Sequence, residues 1–321
     1  MDPARVSTVE IIRGLHNVHT RHQDSVCSIG NFDGVHVGHV TLLRNVQHEA
    51  VSRKVGSLVI TFEPQPREYF QGKLVPARLT RFREKVELIR EIGIKYLLCL
   101  PFDEKLQTTT PDCLIEKYLV ETLNIQHIVV GKDFRFGKDA SGSVQTLRTA
   151  AEKNRFTITQ IEPCEYAGAT ISSTRVRDSL QNGDFNTTES LLGRQYFMMG
   201  PVVLGNRFGG NIGIPTANIR LQRYRSPLEG IFAVRVEGLE NDYYGAAYVG
   251  TRPTIGGTEP LLEVHIFNLH REIYGKQLKV CFLKKIRSDE KFDSIDSLKV
   301  QMGIDITTIK NWLKLRLQKE F

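Results

Sequence analysis

The stretch that most constrains this chain is Ser28-Ile29-Gly30-Asn31-Phe32-Asp33-Gly34-Val35-His36-Val37-Gly38-His39. An apolar, strand-like run from Val26 to Ile29 breaks into glycines, and a helical periodicity begins near Gly38. Glycines let backbone N–H groups approach an anion closely, and the helix N-terminus adds a positive field. His36 and His39 stand three apart at that helix start, so both rings can face one bound phosphate. A cradle for the triphosphate of ATP, with its α-phosphate open to attack, would be built this way, and Gly30, Asn31, Phe32, Asp33 and Gly38 are its candidate residues. Such a cradle stabilises the transferring group electrostatically and needs no covalent intermediate. Two other readings stay open on the residues alone: a metal site formed by His36, His39 and Asp33, or histidines that merely cap a helix.

From Val26 to about Asn182 strands and helices alternate. Strand-like runs fall at Val26–Ile29, Ser57–Phe62, Tyr96–Leu100, Ile125–Val130 and Phe156–Ile161. Helical periodicity covers Gly38–Arg53, Arg81–Ile92, Asp112–Thr122 and Val144–Asn154. Short unalternating strands between helices predict a doubly wound parallel sheet covered on both faces. Ligands bind such sheets beyond the C-terminal strand ends, where the strand order switches, and Gly30 to His39 follows the first strand.

Three later segments can converge on the same crevice. Phe62-Glu63-Pro64-Gln65-Pro66 ends a strand, and its default reading is a rigid turn. Gly131-Lys132-Asp133-Phe134-Arg135-Phe136-Gly137 puts Phe134 beside Asp133 and Arg135 on a loop, a bed for a flat heteroaromatic ring. It does not match a P-loop, because Asp139 stands where a Ser or Thr should follow Lys138. Ile171-Ser172-Ser173-Thr174-Arg175-Val176-Arg177 offers hydroxyls at a helix start and an arginine one turn on, either a cap or a second anion site.

Beyond Gly183-Asp184 the chain turns β-rich with frequent Gly and Pro. Strands are expected at Phe197–Leu204, Ile231–Glu237, Tyr244–Gly250, Leu262–Phe267 and Leu278–Lys284, after a short amphipathic segment at Thr188–Leu192. This predicts a small barrel or sandwich. Two helical segments follow, Ile295–Met302 and Ile306–Leu317. In Gly209-Gly210-Asn211-Ile212-Gly213-Ile214-Pro215-Thr216-Ala217-Asn218 the glycines suit a flap over phosphates, and Thr216 and Asn218 are hard oxygen donors suited to Mg²⁺. The bland reading is a loop with a turn. Glu263 alternates with Leu262 and Val264 and so faces away from the apolar side, usually as a solvated strand residue.

The string Gly-Asn-Phe-Asp-Gly-x-His-x-Gly-His resembles the signature of the nucleotidylyltransferase superfamily, and Ile-Ser-Ser-Thr-x-x-Arg its second signature. The long form looks like the adenylyltransferase half of the bifunctional bacterial riboflavin kinase/FAD synthetase family. Gly213-Ile214-Pro215-Thr216-Ala217-Asn218 resembles that family's riboflavin kinase motif Gly-Phe-Pro-Thr-Ala-Asn. Gly250-Thr251-Arg252-Pro253-Thr254 is similar to its Gly-x-Arg-Pro-Thr, and Leu262 to Ile266 to the strand with its catalytic glutamate. The resemblance runs from about Val26 to Trp312. It departs at Gln65, where many members have His, at Gly210, where Arg is usual, and at Ile214, which replaces an aromatic. Arg207 is the candidate to supply the missing charge.

The resemblance implies an FMN adenylyltransferase domain over 1–184 and a riboflavin kinase domain over 185–321. The expected fold is therefore α/β plus β: a doubly wound nucleotidylyltransferase domain, then a small β-barrel with a terminal helix. It implies phosphorylation of riboflavin to FMN by ATP, then transfer of AMP from ATP to FMN, giving FAD and pyrophosphate, with Mg²⁺ in both steps. Glu263, His36 and His39 become catalytic candidates. Ser172, Ser173, Thr174 and Arg177 join the first ATP site. Phe62, Asp133, Phe134 and Arg135 become flavin contacts, Gly209, Gly213 and Arg252 kinase ATP contacts, and Thr216 and Asn218 metal ligands.

Bulk properties agree with this reading and separate it from rivals. A length of 321 residues exceeds what one core usually serves. A net charge of +7 suits anionic small molecules. Cys27, Cys99, Cys113, Cys164 and Cys281 are odd in number and lack a Cys-x-x-Cys pair, so buried, reduced thiols in the cytoplasm are expected. The start Met1-Asp2-Pro3-Ala4-Arg5 has no apolar leader, and no apolar run approaches the roughly 18 residues of a membrane span. The rivals are a chain that keeps only one of the two activities and a basic RNA-binding protein. The second lacks any helix-turn-helix, RRM or KH pattern, so no nucleic-acid partner is expected. Oligomeric state is not legible.

Overall fold

The computed structural model describes residues 8–205, 213–254 and 257–318. It forms two compact units, Met1–Val75 with Phe82–Ser173, and Pro76–Arg81 with Thr174–Phe321.

The first unit is built on six parallel strands: β1 (Glu10–Arg13), β2 (Val26–Ile29), β3 (Ser57–Phe62), β4 (Tyr96–Leu100), β5 (His127–Gly131) and β6 (Thr157–Ile161), in the order β1-β4-β3-β2-β5-β6. From β2 the sheet grows through β3 and β4 on one side and through β5 and β6 on the other. The switch point therefore lies between β2 and β5, whose register pairs Val26 with His127. Val26, Cys27, Leu58, Val59, Leu97, Leu98, Ile128 and Val129 are fully buried. Strands buried on both faces explain why their apolar runs do not alternate. The helices α1 (Val37–Arg53), α2 (Phe82–Ile92) and α3 (Val144–Lys153) match the expected periodicities. The segment expected as one helix over 112–122 is a helical turn, Pro111–Cys113, running into a π-helical stretch, Leu114–Thr122. Strand β1 escaped the sequence reading, because four residues with a charge at each end carry no periodicity. The loop expected over 131–137 contains half of a small hairpin, Arg135–Phe136 paired with Gly142–Ser143.

Helix α4 (Ser173–Gln181) and helix α5 (Phe185–Leu192) lead into the barrel of the second unit. Its strands are β7 (Phe197–Val203), β8 (Ala217–Ile219), β9 (Gly230–Glu237), β10 (Tyr243–Thr254), β11 (Gly257–Ile266) and β12 (Gln277–Arg287). They close in the order β7-β8-β11-β10-β9-β12, every pair antiparallel. Phe232 and Phe282, buried inside, meet edge to face at 5.3 Å. Segment 76–81 is held to this unit by Tyr196, whose hydroxyl donates to the Leu79 carbonyl at 2.9 Å, and by Arg223, which donates to the Arg78 carbonyl at 2.8 Å.

The two expected C-terminal helices are one helix, α6 (Ile295–Leu317). A glycine inside a helix costs about 1 kcal/mol, and Gly303 lies between the two expected segments. Two residues on, buried Asp305 accepts from Arg287 of β12 through Nε at 2.9 Å and Nη2 at 2.8 Å, and from Gln301 at 3.0 Å. These bonds hold the helix together across the glycine. Ile309 and Leu313 then pack with Ala233, Phe267 and Leu283 of the barrel.

Candidate functional site

In the first unit, β2 ends at Ile29 and α1 starts at Val37. Between them Phe32, Gly34 and Val35 take φ values of 47°, 82° and 39°. Such values are strained for phenylalanine and more so for β-branched valine. Burial holds them: Phe32, Asp33 and Val35 are all in the interior. Gly30 makes room, since a Cβ there would lie 3.1 Å from the Phe32 ring.

His36 is the N-cap of α1, its Nδ1 accepting the His39 backbone N–H at 3.3 Å. A neutral ring that accepts at Nδ1 carries its proton on Nε2 and is a donor there. The His36 and His39 rings stack with centroids 3.6 Å apart, and the Phe32 ring meets His39 edge-on at 5.3 Å. Capping and anion binding are therefore compatible on different nitrogens of one ring. Among the described residues no group of three or more His, Cys, Asp or Glu side chains is placed to hold a metal, so the metal reading of Asp33, His36 and His39 finds no footing.

The second signature meets the first directly. Ser173 Oγ donates to the Asp33 carbonyl at 2.8 Å, and Ser172 precedes it, half-buried. Thr174 and Arg177 follow on α4, where the chain has passed into the second unit. There Arg177 Nε donates to the Ala77 carbonyl at 2.6 Å.

Phe62 ends β3 and meets Phe102 edge-on at 6.0 Å. Phe102 in turn meets Tyr69 at 5.4 Å and Phe70 at 5.7 Å. The sequence reading missed these three companions, although the aromatic pair after Pro66 was there as a signal. Phe134 stacks on Phe136 at 5.3 Å, while Asp133 and Arg135 are exposed beside it. Phe62, Phe102 and Phe134 pack against the same apolar core.

In the second unit a cavity of about 330 Å³ opens between the outer barrel wall and α6. Ile214, Thr216, Tyr248, Glu263 and His265 line it from the barrel, and Leu298, Met302 and Ile306 from the helix. The register explains the assembly. Asn218 pairs with Glu263, and Glu263 with Tyr248. Residues directly opposite in antiparallel strands share a face, so one row crosses three strands. Leu262, Val264 and Ile266 are buried on the other face, as the alternation required. Thr216 lies just before the strand and lines the cavity together with Glu263. Asn218 is buried against Gly205, where a Cβ would lie 2.2 Å from its amide nitrogen. The expected loop with a turn covers Gly213 to Thr216, and only its end, Ala217-Asn218, joins strand β8, which sets Asn218 opposite Glu263. Two uncharged hard oxygens leave a cation most of its positions for phosphate and water, a set that fits Mg²⁺.

Sequence reasoning missed Tyr248, Arg287, Asp289 and Asp305, all of which line this cavity. Only pairing across strands and onto α6 brings them there. Asp305 beside Arg287 holds the guanidinium firmly protonated. Gly213 and Ile214 lie just before the cavity's Thr216. Arg207, Gly209, Gly210 and the side chain of Arg252 lie outside the described residues.

Comparison with known proteins gives consistent matches. A family profile described as FAD synthetase matches residues 18–175, and one described as riboflavin kinase matches residues 192–313. The bifunctional riboflavin kinase/FMN adenylyltransferase of Escherichia coli strain K12 is 41% identical over 309 residues, covering 96% of this chain and 99% of its own. The protein of the same name from Haemophilus influenzae is 40% identical over 303 residues, covering 94% and 98%. The crystal structure of a macrolide-efflux protein from Streptococcus pneumoniae superposes with a TM-score of 0.79 at 30% identity, covering 95% of this chain and 99% of that one. Among the described residues no helix is long and apolar enough to cross a membrane.

Proposed function

The chain belongs to the bifunctional riboflavin kinase/FMN adenylyltransferase family, and from that premise we propose how its residues divide the two reactions. The protein is a transferase that phosphorylates riboflavin to FMN and adenylylates FMN to FAD, with ATP as donor in both steps. We assign adenylyl transfer to residues 1–184 and the kinase to residues 185–321.

In the kinase, Glu263 takes the proton of the ribityl 5′-hydroxyl as its oxygen attacks the γ-phosphorus of ATP. The bond from that phosphorus to the β–γ bridging oxygen breaks, and ADP leaves. Thr216 and Asn218 would hold Mg²⁺, which when bound neutralises phosphate charge. Gly209, Gly213 and Arg252 contact the ATP. The observation that carries this reading is the pairing of Asn218 with Glu263, which sets that oxygen donor and the carboxylate on one face, with Thr216 lining the same cavity as Glu263.

In adenylyl transfer, a phosphate oxygen of FMN attacks the α-phosphorus and pyrophosphate leaves. His36, His39 and the N-terminus of α1 stabilise the charge that builds there, aided by Gly30, Asn31, Phe32, Asp33 and Gly38. Ser172, Ser173, Thr174 and Arg177 hold the leaving pyrophosphate. Phe62, Asp133, Phe134 and Arg135 receive the flavin. The Ser173–Asp33 bond supports this assignment, because it ties the two signatures together.

ATP as substrate and five cysteines without a disulfide fit the cytoplasm. No nucleic acid or membrane enters the reading. Riboflavin and Mg-ATP given to the purified protein should yield FMN and then FAD, followed by chromatography. EDTA should stop both steps and excess Mg²⁺ restore them. Rates that persist through chelation overturn the roles of Thr216 and Asn218, and FMN without FAD overturns the assignment of residues 1–184.

A further inference from the structure

Tyr248 has no place in the motifs or in the reactions above, yet it lines the kinase cavity. It stands directly opposite Glu263 in the β10–β11 register, with Ile231 opposite on its other side. Its ring lies along its own strand over Gly250, where a Cβ would come within 2.2 Å of the phenol oxygen. Residues two apart share a strand face, so any side chain larger than hydrogen at 250 would displace the ring. The phenol donates to Asp289 Oδ2 at 2.9 Å, and Asp289 Oδ1 accepts the Glu290 backbone N–H at 2.9 Å. Burial, Asp289 and the charges of Glu229 and Glu263 push the phenol up, so it stays a protonated donor at neutral pH. The hydroxyl end of the ring is thereby fixed. The same cavity is lined by Phe292, Leu298, Met302 and Ile306, apolar side chains suited to a flat ring system.

Resting on the reading that riboflavin enters this cavity, we propose that Tyr248, strapped by Asp289 and seated on Gly250, is the side chain that contacts the isoalloxazine ring in the kinase site. Tyr248 is the only Tyr or Trp lining the cavity among the described residues. That makes the contact visible, because an electron-rich phenol against an excited flavin quenches its fluorescence, whereas a phenyl ring does not.

Titration of riboflavin into the full-length protein without ATP tests this. Bound riboflavin should be strongly quenched in the wild type. Tyr248→Phe should relieve the quench while the dissociation constant moves by about threefold or less, and Tyr248→Leu should relieve it and weaken binding about tenfold. Asp289→Asn keeps an acceptor for the phenol and should behave as wild type, whereas Asp289→Leu should weaken binding. Equal quenching in wild type and Tyr248→Phe overturns the contact, and Tyr248→Phe keeps the test available should Tyr248→Leu fail to fold. Met302→Arg fills the cavity from the helix and tests the underlying reading. If it phosphorylates riboflavin at the wild-type rate, the substrate lies elsewhere and the proposal falls with that reading. If phosphorylation is lost there while Tyr248→Phe leaves the quench unchanged, only the Tyr248 contact falls.

Discussion

The candidate site of the α/β unit comes largely from one loop and the helix start that follows it. In Gly30 to His39, backbone, cap and both histidines lie within ten consecutive residues, and one bond from Ser173 completes the frame. The candidate site of the barrel is distributed instead. Thr216, Tyr248, Glu263 and Arg287 come from four separate segments, and Met302 and Asp305 from a helix beyond them. The first plan stores its geometry in local backbone strain and capping, and the second in strand register. Local sites tolerate distant changes and fail to a single insertion in the loop. Register-built sites survive loop changes and fail when one strand slips, because a slip of one residue turns every side chain to the other face.

The sharpest break of this comparison is at Glu263. Glu263→Gln keeps shape and removes the proposed base, so riboflavin phosphorylation should fall by about 10² to 10⁴ in a chemistry-limited assay. FAD formation from supplied FMN should stay near the wild-type rate. A variant that still makes FMN at full rate returns Glu263 to the status of a solvated strand residue.

Next in size is the loop. His36→Ala or His39→Ala should each lower FAD formation by about 10² to 10³, with riboflavin phosphorylation retained. Because the rings stack, the double variant should cost less than the product of the two. Full multiplicativity would show that they act independently.

A third test separates register from helix docking. Arg287→Ala leaves buried Asp305 with the Gln301 amide but without its charged partner, and breaking a largely buried pair costs up to about 3 to 5 kcal/mol. Thermal unfolding of the barrel should move down by many degrees while the α/β transition stays in place. A single unshifted transition would mean that Arg287 and Asp305 do not hold α6. A fragment starting at Asp184 sharpens the same point. It lacks the segment 76–81, so Tyr196 and Arg223 lose the carbonyls of Leu79 and Arg78, each loss costing about 1 to 3 kcal/mol. It should make FMN without FAD and melt below the barrel transition of the whole chain, and a fragment as stable as the whole would show that these bonds contribute nothing.

The smallest effect is expected from acid. His127 is buried in β5 beside Arg53 and bonds Thr157 and Thr159. Burial first, and then the Arg53 charge, hold its ring below the usual imidazole range. The neutral form therefore belongs to the folded state. Its contribution is complete above the ordinary value of 6.5 and is lost as pH falls through the lower folded one. Glu10, drawn down to about 2 chiefly by its bond with Arg21, loses its share only in stronger acid. The melting temperature of the α/β unit should drop between pH 6.5 and pH 5, and His127→Gln should flatten that slope. An equal slope in the variant assigns the acid sensitivity elsewhere.

What the amino-acid sequence determined by itself is whatever rests on near neighbours. The five long strands of the sheet, helices α1 to α3, the cap at His36 and the alternation of Glu263 follow from periodicity, glycine placement and capping chemistry, all of which act within about one turn or one strand. The sequence could not show that Asn218 lies on a strand, because three residues in a Gly/Pro-rich motif carry no alternation and β8 exists only by pairing with β7 and β11. Nor could it show that α6 runs through Gly303, since the bonds that hold it come from Arg287 and Gln301 to Asp305. Tyr248 stayed unremarked for the same reason. Its strand is legible, but its contact with Asp289 spans forty-one positions and depends on how β10, β12 and α6 meet. Tertiary structure decided these points because the free energy that fixes them is shared between residues far apart in the chain and becomes available only once the barrel has closed.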